Sequence, residues 1–447
     1  MDNSNKLIPV FKTPKFEKVE INENFDVYFI NNKFSELISI RLSSNIGTAD
    51  EFVKGEGYLT SKLLIAGNEN QTFKEIFDET DFMGASLNQA ISYDSFYLTF
   101  FSSKKFIKRG LEIIADCIQK PLFDENEIEK EKTRIESEIM LDLSDTNFLS
   151  QQILMKNFFN NHPYGLSKKG KISDLKILNK SNCHSFHSRI MQSKKSLFVA
   201  GNFDRNETLE QITQIFNFPN ENILEEKPNI IKKEGRSIYL FNKENSGQAN
   251  LRIGKSATNH NDFNYPALQV VNVLFGGFFM SRLNNILREE KGNTYGIASL
   301  ISVLKQTNML IIASTLKEES LGDSINTIIE QMDVLSNEKV EENELNRAKQ
   351  FTLGSFLRNS ETTQQQLNII SNLDNFKLES NYYDKYINSV GNLNLDDLFN
   401  AQIKYYKTED LIISIVGDKK AILPQLQDFS NIYICNEYGE VLEKINS

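Results

Sequence analysis

Three polar side chains on one short helix have the spacing of a hydrolytic site. The stretch Gly55 to Gly67 predicts a helix of about three turns, followed by a glycine where a left-handed residue commonly ends a helix. Tyr58, Ser61 and Lys62 stand at positions i, i+3 and i+4, so they share one helix face. The motif H-x-x-E-H uses the same spacing, with two histidines that bind zinc and a glutamate that activates water. Neither histidine nor glutamate stands at these three positions, so this helix is not expected to perform zinc-dependent hydrolysis.

The composition is that of an ordinary globular protein with more than one domain. The chain has 447 residues, of which 40% are hydrophobic and 25% are charged. The net charge of -10 argues against a nucleic-acid partner, which needs a clustered basic surface. It is compatible with a basic peptide substrate, although an acidic surface more often serves solubility.

Cysteine usage and the chain start predict a cytoplasmic protein. The three cysteines lie far apart, so neither a disulfide framework nor a thiolate metal site is expected, which fits a reducing compartment. The chain start shows no signal peptide, and no apolar run approaches the length needed to span a membrane. We therefore expect no membrane association.

The order of predicted elements repeats once along the chain. Each half has two strands, a helical stretch, a strand pair, long helices and a closing strand. The longest predicted helices run from Glu125 to about Asn160 and from Val340 to Leu373. The predicted fold class is α+β, with two homologous domains that are each a mostly antiparallel sheet with helices packed on one face. The predicted boundaries are an N-terminal domain at 1–218, a linker at 219–236 and a C-terminal domain at 237–447.

Several local stretches, in this order and spacing, resemble one family. They are Gly55 to Gly67, Gly84 to Ala90, His162-Pro163-Tyr164-Gly165, and Phe275 to Leu283 running on to Tyr295. The chain resembles the insulinase/pitrilysin-type inverted zincins, and in size the subunits of mitochondrial-processing-peptidase-like enzymes. The resemblance implies that two such subunits form a clam-shell around a peptide chamber.

The resemblance also assigns positions for a metal site that this chain has lost. The family's first His, its Glu base and its second His fall on Tyr58, Ser61 and Lys62, and its third ligand falls on Glu138. A second acidic position of the family falls on Glu131. A lone glutamate cannot hold zinc, and a lysine ammonium repels a dication. We therefore expect no metal in this chain, while the alternative for Glu138 is one more solvated residue of a Glu-rich helix.

Loss of the metal leaves Glu138 to be satisfied in another way. We expect Lys62 to pair with Glu138, or with Glu131 one heptad away, so that a salt bridge replaces the zinc tether. In the competing picture Lys62 points to solvent and Tyr58 fills the gap.

Two other arrangements imitate catalytic sites without forming one. His184 and His187 share a helix face, but no ligand pattern surrounds them, so a structural or surface role is expected. A Ser61–Lys62 dyad fails because adjacent helical residues diverge by about 100°. Gly276 and Gly277 are expected to allow a tight turn between two helices.

Arg288 and Tyr295 stand seven residues apart across a Lys-Gly turn. In the family, the matching Arg and Tyr project into the chamber and hydrogen-bond the substrate carbonyl near the scissile bond. A guanidinium and a phenol are suitable donors to a carbonyl or a developing oxyanion. The alternative is that Arg288 is a surface helix residue and that Tyr295 merely begins a strand.

These observations predict a non-catalytic, substrate-binding subunit of a heterodimeric zinc metallopeptidase. A homologous partner would carry H-x-x-E-H and the zinc, while this chain supplies Arg288, Tyr295 and half of a chamber for a peptide substrate. One alternative is a structural or scaffolding subunit with no part in proteolysis. Another is an independent enzyme with unrecognised chemistry, for which no constellation of residues speaks. The peptide substrate cannot be read from the sequence.

Overall fold

The protein is described here by a computed structural model. The structure describes residues 11–219, 230 and 235–445, so most of the predicted linker lies outside the described residues. The described chain contains one six-stranded and one seven-stranded sheet, each with helices, which confirms the α+β class. No helix in the described part of the chain combines the length and the apolar character needed to cross a membrane.

The N-terminal half supplies the six-stranded sheet. Its strands are β1 (Glu17–Asn22), β2 (Phe25–Asn31), β3 (Leu37–Ser44), β4 (Ser86–Ile91), β5 (Phe96–Ser103) and β6 (Lys195–Gly201). Its helices are α1 (Glu56–Leu63), α2 (Phe73–Phe82), α3 (Ile107–Gln119), α4 (Glu125–Ser144), α5 (Thr146–Phe159), α6 (Ile172–Ile177), α7 (Lys180–Gln192) and α8 (Arg205–Ile215). The strand order is β1-β2-β6-β3-β5-β4, and among the described strands of this sheet only β2 and β6 pair in parallel.

The C-terminal half supplies the seven-stranded sheet. Its strands are β7 (Ser237–Asn242), β8 (Gln248–Ala257), β9 (Thr294–Val303), β10 (Asn308–Lys317), β11 (Ile412–Gly417), β12 (Ile432–Cys435) and β13 (Val441–Ile445). Its helices are α9 (Tyr265–Asn272), α10 (Leu321–Asn337), α11 (Glu342–Arg358), α12 (Thr363–Asn375), α13 (Tyr382–Asn392), α14 (Leu395–Tyr405) and α15 (Lys419–Ile422). Two π-helical segments, Val273–Gly277 and Asn284–Glu290, lie between α9 and β9.

The two sheets share a five-strand arrangement. The run β7-β11-β8-β10-β9 of the second sheet repeats the run β2-β6-β3-β5-β4 of the first. In both runs the first pair is parallel and the following pairs are antiparallel. This repeat is what a duplicated α+β unit predicts.

Each sheet also packs against a helix from the other half, which the expectation of helices on one face did not include. Helix α5 lies against β8 and β11, and α12 lies against β3 and β6. Ser414 of β11 donates to the Ser150 carbonyl at 2.8 Å, and Tyr28 of β2 donates to the Asp374 carboxylate at 2.7 Å. These exchanged helices join the two halves through buried contacts.

The two longest predicted helices are each interrupted. Asp145 adopts an extended backbone between α4 and α5, and its carboxylate accepts the Asn147 amide at 2.8 Å. Thr362 begins α12 with a capping box in which it exchanges hydrogen bonds with Gln365. Such caps stabilise a new helix start by satisfying amides that have no partner within the helix. The predictions of single helices over these stretches were therefore wrong.

Candidate functional site

Helix α1 is held at its start by a loop that also reaches the site. Gly55, just before the helix, has a φ of 86°, which favours glycine. A Cβ atom there would lie 2.8 Å from the Lys169 carbonyl oxygen, so the loop before α6 closes tightly on the helix start. Leu59 and Leu63 of α1 are buried in the N-terminal core. The helix therefore turns its other face, with Tyr58 and Lys62, toward α4.

The positions expected to replace the metal site form one hydrogen-bonded cluster. The Tyr58 hydroxyl donates to Glu138 Oε2 at 2.8 Å, and Lys62 Nζ lies 3.4 Å from Glu138 Oε1. Lys169 Nζ lies 3.3 Å from Glu138 and 2.7 Å from Asp142. We call these five residues the α1–α4 cluster. The predicted Lys62–Glu138 pair is confirmed, and Tyr58 fills the gap beside it.

Other residues predicted for this region lie outside the cluster. Glu131 is paired with Arg134 at 2.9 Å, so it is not the partner of Lys62. Ser61 is buried and donates to the Tyr58 carbonyl within its own helix at 2.7 Å. Sequence reasoning missed Lys169 and Asp142. Asp142 could have been found one helical turn beyond Glu138, whereas Lys169 comes from a loop with no local signal.

The hydrogen bond and the ion pairs in the cluster stabilise the anionic form of Glu138. Burial alone would raise the pKa of Glu138, but the Tyr58 hydrogen bond and the ammonium groups of Lys62 and Lys169 outweigh it and lower the pKa. Burial, together with the bond to Glu138, raises the pKa of Tyr58 above the usual range of a phenol. Tyr58 is therefore a neutral donor and Glu138 an anionic acceptor at neutral pH.

The residues of the cluster do not fit a zinc ion. Zinc needs at least three protein ligands of the Cys, His, Asp or Glu type, and here Glu138 already accepts from a phenol and two ammonium groups. Within the described residues, no group of three or more such side chains is placed to hold a metal. The ammonium groups of Lys62 and Lys169 stand where positive charge would repel a dication.

The histidines outside this cluster have structural partners. His187 Nε2 lies 2.7 Å from the Ile118 carbonyl oxygen, so it donates there, and both His184 and His187 contact the Phe123 ring edge to face. His162 lies 2.9 Å from the Gln306 side chain across the two domains. These contacts agree with the structural role expected for the His184–His187 pair.

Arg288 and Tyr295 line an open cavity in the C-terminal domain. This cavity has a volume of about 310 Å³ and lies between the second π-helical segment and the start of β9. The Arg288 guanidinium lies over the ring of Phe279, and the distance from its central carbon, Cζ, to the ring centroid is 4.2 Å. Phe279 is itself 61% exposed. Tyr295 is 92% exposed. Arg288 is half-buried, and its Nε lies 3.5 Å from Glu289 Oε1 of the same segment. A bound molecule can therefore reach Tyr295 directly, whereas at Arg288 it would meet a guanidinium that already has an acidic neighbour.

A β-bulge sets the direction of Tyr295. On β10, Thr315 alone lies between the partners of Thr294 and Ile297, while on β9 both Tyr295 and Gly296 lie there. The Gly296 amide donates to the Thr294 hydroxyl at 3.0 Å, which helps to hold the bulge. Because the extra residue shifts the alternation, Tyr295 joins the outward face of β9 while Ile297 remains in the core.

Gly276 serves close packing near this site. A Cβ atom at Gly276 would lie 2.7 Å from the Ser299 Cβ, so only glycine allows the first π-helical segment to approach β9 this closely. The predicted tight turn between two helices was wrong for Gly276 and Gly277, since both continue the helical segment that follows α9.

The fold and this cluster define a class: a duplicated α+β protein in which a tyrosine, a lysine and one glutamate occupy the positions that the resemblance assigned to a metal site. The model of the insulinase family (peptidase family M16) matches residues 26–170, and the peptidase M16 inactive domain matches residues 179–351. The chain belongs to the insulinase family, as the resemblance of its motifs predicted.

Some relatives of this chain are named as proteases, and others are named as inactive or non-peptidase proteins. The chain is 25% identical to "Probable inactive metalloprotease YmfF" of Bacillus subtilis, over 54% of this chain and 58% of that protein. It is 23% identical to "Uncharacterized zinc protease YmxG" of Bacillus subtilis, over 87% and 94%. It is 22% identical to "Non-peptidase homolog YmxG" of Helicobacter pylori, over 75% and 78%.

A solved structure shares the fold across most of the chain. The peptidase M16 inactive domain from Pseudomonas fluorescens superposes with a TM-score of 0.82 at 18% identity, covering 90% of this chain and 98% of that one. Within the family, this chain has no H-x-x-E-H, since its four histidines are residues 162, 184, 187 and 260. It is therefore a non-catalytic member of the insulinase family.

Proposed function

We propose that this chain is the substrate-binding subunit of a heterodimeric zinc metallopeptidase. Its partner is a homologous chain that carries H-x-x-E-H and the zinc ion, and the two together enclose a peptide. The proposal rests on a difference between the α1–α4 cluster and the cavity lined by Arg288 and Tyr295. The positions that the resemblance assigns to the metal are occupied by the α1–α4 cluster, while Tyr295 is exposed and Arg288 is half-buried beside an open cavity.

Arg288 and Tyr295 have the chemistry to assist cleavage by a partner. A guanidinium and a phenol are both hydrogen-bond donors, and a peptide carbonyl gains negative charge on oxygen when water attacks it. The stacking of Arg288 on Phe279 limits its side-chain freedom, so less entropy is lost when it binds. Donors held in this way lower the barrier of a reaction whose zinc and water come from the other subunit.

The strand that carries Tyr295 offers a surface for an extended peptide. β9 is the last strand of its sheet and pairs only with β10 among the described residues. Its outer backbone groups can therefore pair with a peptide strand, and main-chain pairing of this kind binds peptides with little dependence on their sequence. A peptide along β9 would pass beside Tyr295 and the cavity that Arg288 and Tyr295 line.

The experiment compares variants in a complex reconstituted with the homologue that carries H-x-x-E-H. Arg288→Ala and Tyr295→Phe should each leave assembly intact and lower kcat by about 10²–10³, as loss of an oxyanion donor does. Arg358→Ala is the matched control, because Arg358 is exposed at the end of α11 and bonds only Ser355 among the described residues. Wild-type turnover by both variants would instead favour a scaffolding subunit.

A further inference from the structure

A cavity of about 450 Å³ lies at the end of β9 that is remote from Tyr295. Its wall includes Tyr58 of α1, Phe148 of α5, Tyr93 of the β4–β5 turn, and Ser302 and Leu304 at the end of β9. Both domains therefore contribute to it. The cavity also borders the α1–α4 cluster through Tyr58, Asp142 and Lys169.

The charged groups around this cavity leave one ammonium group without a carboxylate. Lys169 is paired with Asp142 and Glu138, and Lys62 is paired with Glu138. Lys168 also lines the cavity, and among the described residues it forms no ion pair. Its ammonium lies 6.0 Å from the centre of the Tyr93 ring. Among the residues that line the cavity, one carboxylate (Asp142) therefore faces two ammonium groups (Lys168 and Lys169), and the cavity carries a local positive charge in a chain of net charge -10.

The environment of Lys168 favours an anionic ligand. Lys168 is exposed, so a bound molecule can reach it. Partial desolvation and the Lys169 charge lower the pKa of its ammonium against the opposing effect of Asp142, whereas an added carboxylate would stabilise the charged form. Aromatic rings of Tyr58, Tyr93 and Phe148 supply apolar walls for the stem of an acidic side chain.

The outward face of β9 connects this cavity to the Arg288–Tyr295 site. Because of the bulge, Tyr295 shares that face with Ala298, Leu300 and Ser302, and Ser302 lines the cavity. A strand rises about 3.3 Å per residue, so Tyr295 and Ser302 are roughly 23 Å apart along β9. An extended peptide that pairs with β9 covers this distance with about seven residues.

We propose that this cavity is a specificity pocket for an acidic residue of a bound peptide. The carboxylate pairs with Lys168 and lies about seven residues along the peptide from the residue beside Tyr295. The proposal rests on the peptide-binding role described above. It adds a substrate preference set by a pocket on the non-catalytic chain.

The experiment measures binding of defined peptides to the full-length chain by fluorescence anisotropy. The probes are amidated, fluorescein-labelled peptides of alanine and threonine, about twelve residues long so that they cover β9. Each carries one Glu, moved by one position from probe to probe, and each has a Gln counterpart. With Glu at the preferred position, wild type should bind about three- to tenfold more tightly than with Gln.

Variants then assign the preference to the pocket. Lys168→Gln should bind the best Glu peptide and its Gln counterpart equally. Lys171→Gln, in the same loop but paired with Glu440 outside the cavity, should keep the preference. Tyr295→Phe should change the affinity for both peptides by the same factor.

Three outcomes would overturn the proposal, and they separate it from the proposed function. Equal binding of Glu and Gln probes to wild type at every position would exclude the pocket while leaving peptide binding intact. A Glu preference that survives in Lys168→Gln would assign it elsewhere. An absence of binding by all probes would contradict both the pocket and the peptide-binding role.

Discussion

The two domains place different residues at equivalent helix contacts. In the C-terminal domain, α9 and α11 meet through buried apolar side chains, among them Leu268, Val271, Leu345 and Ala348. In the N-terminal domain, α1 and α4 also share buried leucine and isoleucine residues, but the cluster of Tyr58 and its partners lies beside them, only half-buried. The C-terminal contact is apolar, whereas the N-terminal contact also contains charged side chains.

The difference shows that the two helix contacts are stabilised by different interactions. Charges removed from water need partners that replace the lost hydration, so each group in the cluster depends on the others. The C-terminal contact has no such requirement and is stabilised by apolar burial. The cluster borders a cavity and remains partly exposed.

Three substitutions should restore metal binding to the N-terminal contact. Tyr58 and Lys62 both reach Glu138, so histidines at these two positions would converge on the same carboxylate. The variant Tyr58→His/Lys62→His/Lys169→Ala, which also removes the repelling ammonium, should bind about one zinc ion per chain. Metal analysis by mass spectrometry measures this.

The matched control adds Glu138→Gln and should lose the zinc, because one of three ligands is gone. Wild type should contain no stoichiometric zinc. About one tightly bound zinc in the wild-type chain would contradict the description of the cluster as a replacement for the metal.

A second prediction compares the two helix contacts directly. Leu268→Ala, at a fully buried position of α9, should lower the free energy of unfolding by about 2–5 kcal/mol. Lys62→Met should lower it by only about 0–1 kcal/mol, since the Lys62–Glu138 pair is partly exposed. Urea denaturation measures both. Equal losses would show that the polar contact is as important for stability as the apolar one.

The residues of the N-terminal contact could be predicted from the sequence, but much of its geometry could not. The positions of Lys62 and Glu138 follow from helix spacing and motif order, and their pairing follows from the need to satisfy a carboxylate. The helix break at Asp145 had a sequence signal, since Ser144-Asp145-Thr146 contains residues that commonly cap helices. Gly296 inside a predicted strand also signalled a bulge.

Other features depend on tertiary structure and had no such signal. Lys169 reaches the cluster from a loop, and its sequence neighbours say nothing about α4. The exchange of α5 and α12 between the sheets could not be predicted, because an amphipathic helix indicates that one face is buried but not which sheet covers it. The cavity at the end of β9 arises from the same exchange, since α5 forms part of its wall.

The ion pairs of Glu138 should also make the stability of the chain slightly dependent on pH. The pKa of Glu138 is lower in the folded chain than its ordinary value of 4.5, so its ion pairs stabilise the fold above that pH. This stabilisation is lost as the pH falls through the lowered pKa. Wild type should therefore exceed Glu138→Gln by up to about 1 kcal/mol near pH 7, and the difference should vanish in acid.

Denaturation at several pH values measures this difference. Glu136→Gln on the same helix is the control, because Glu136 forms no ion pair among the described residues. A difference for Glu138→Gln that stays constant from neutral to acid pH would contradict the role of its charge.

A peptidase assay of three samples with zinc present tests whether this chain assists a catalytic partner: this chain alone, the homologue that carries H-x-x-E-H alone, and their mixture. The chain alone should cleave no peptide, because it has no residues to hold zinc at Tyr58 and Lys62. The mixture should cleave far faster than the homologue alone, and Arg288→Ala should remove most of that gain. Cleavage by this chain alone, or equal rates for the homologue with and without it, would contradict the account.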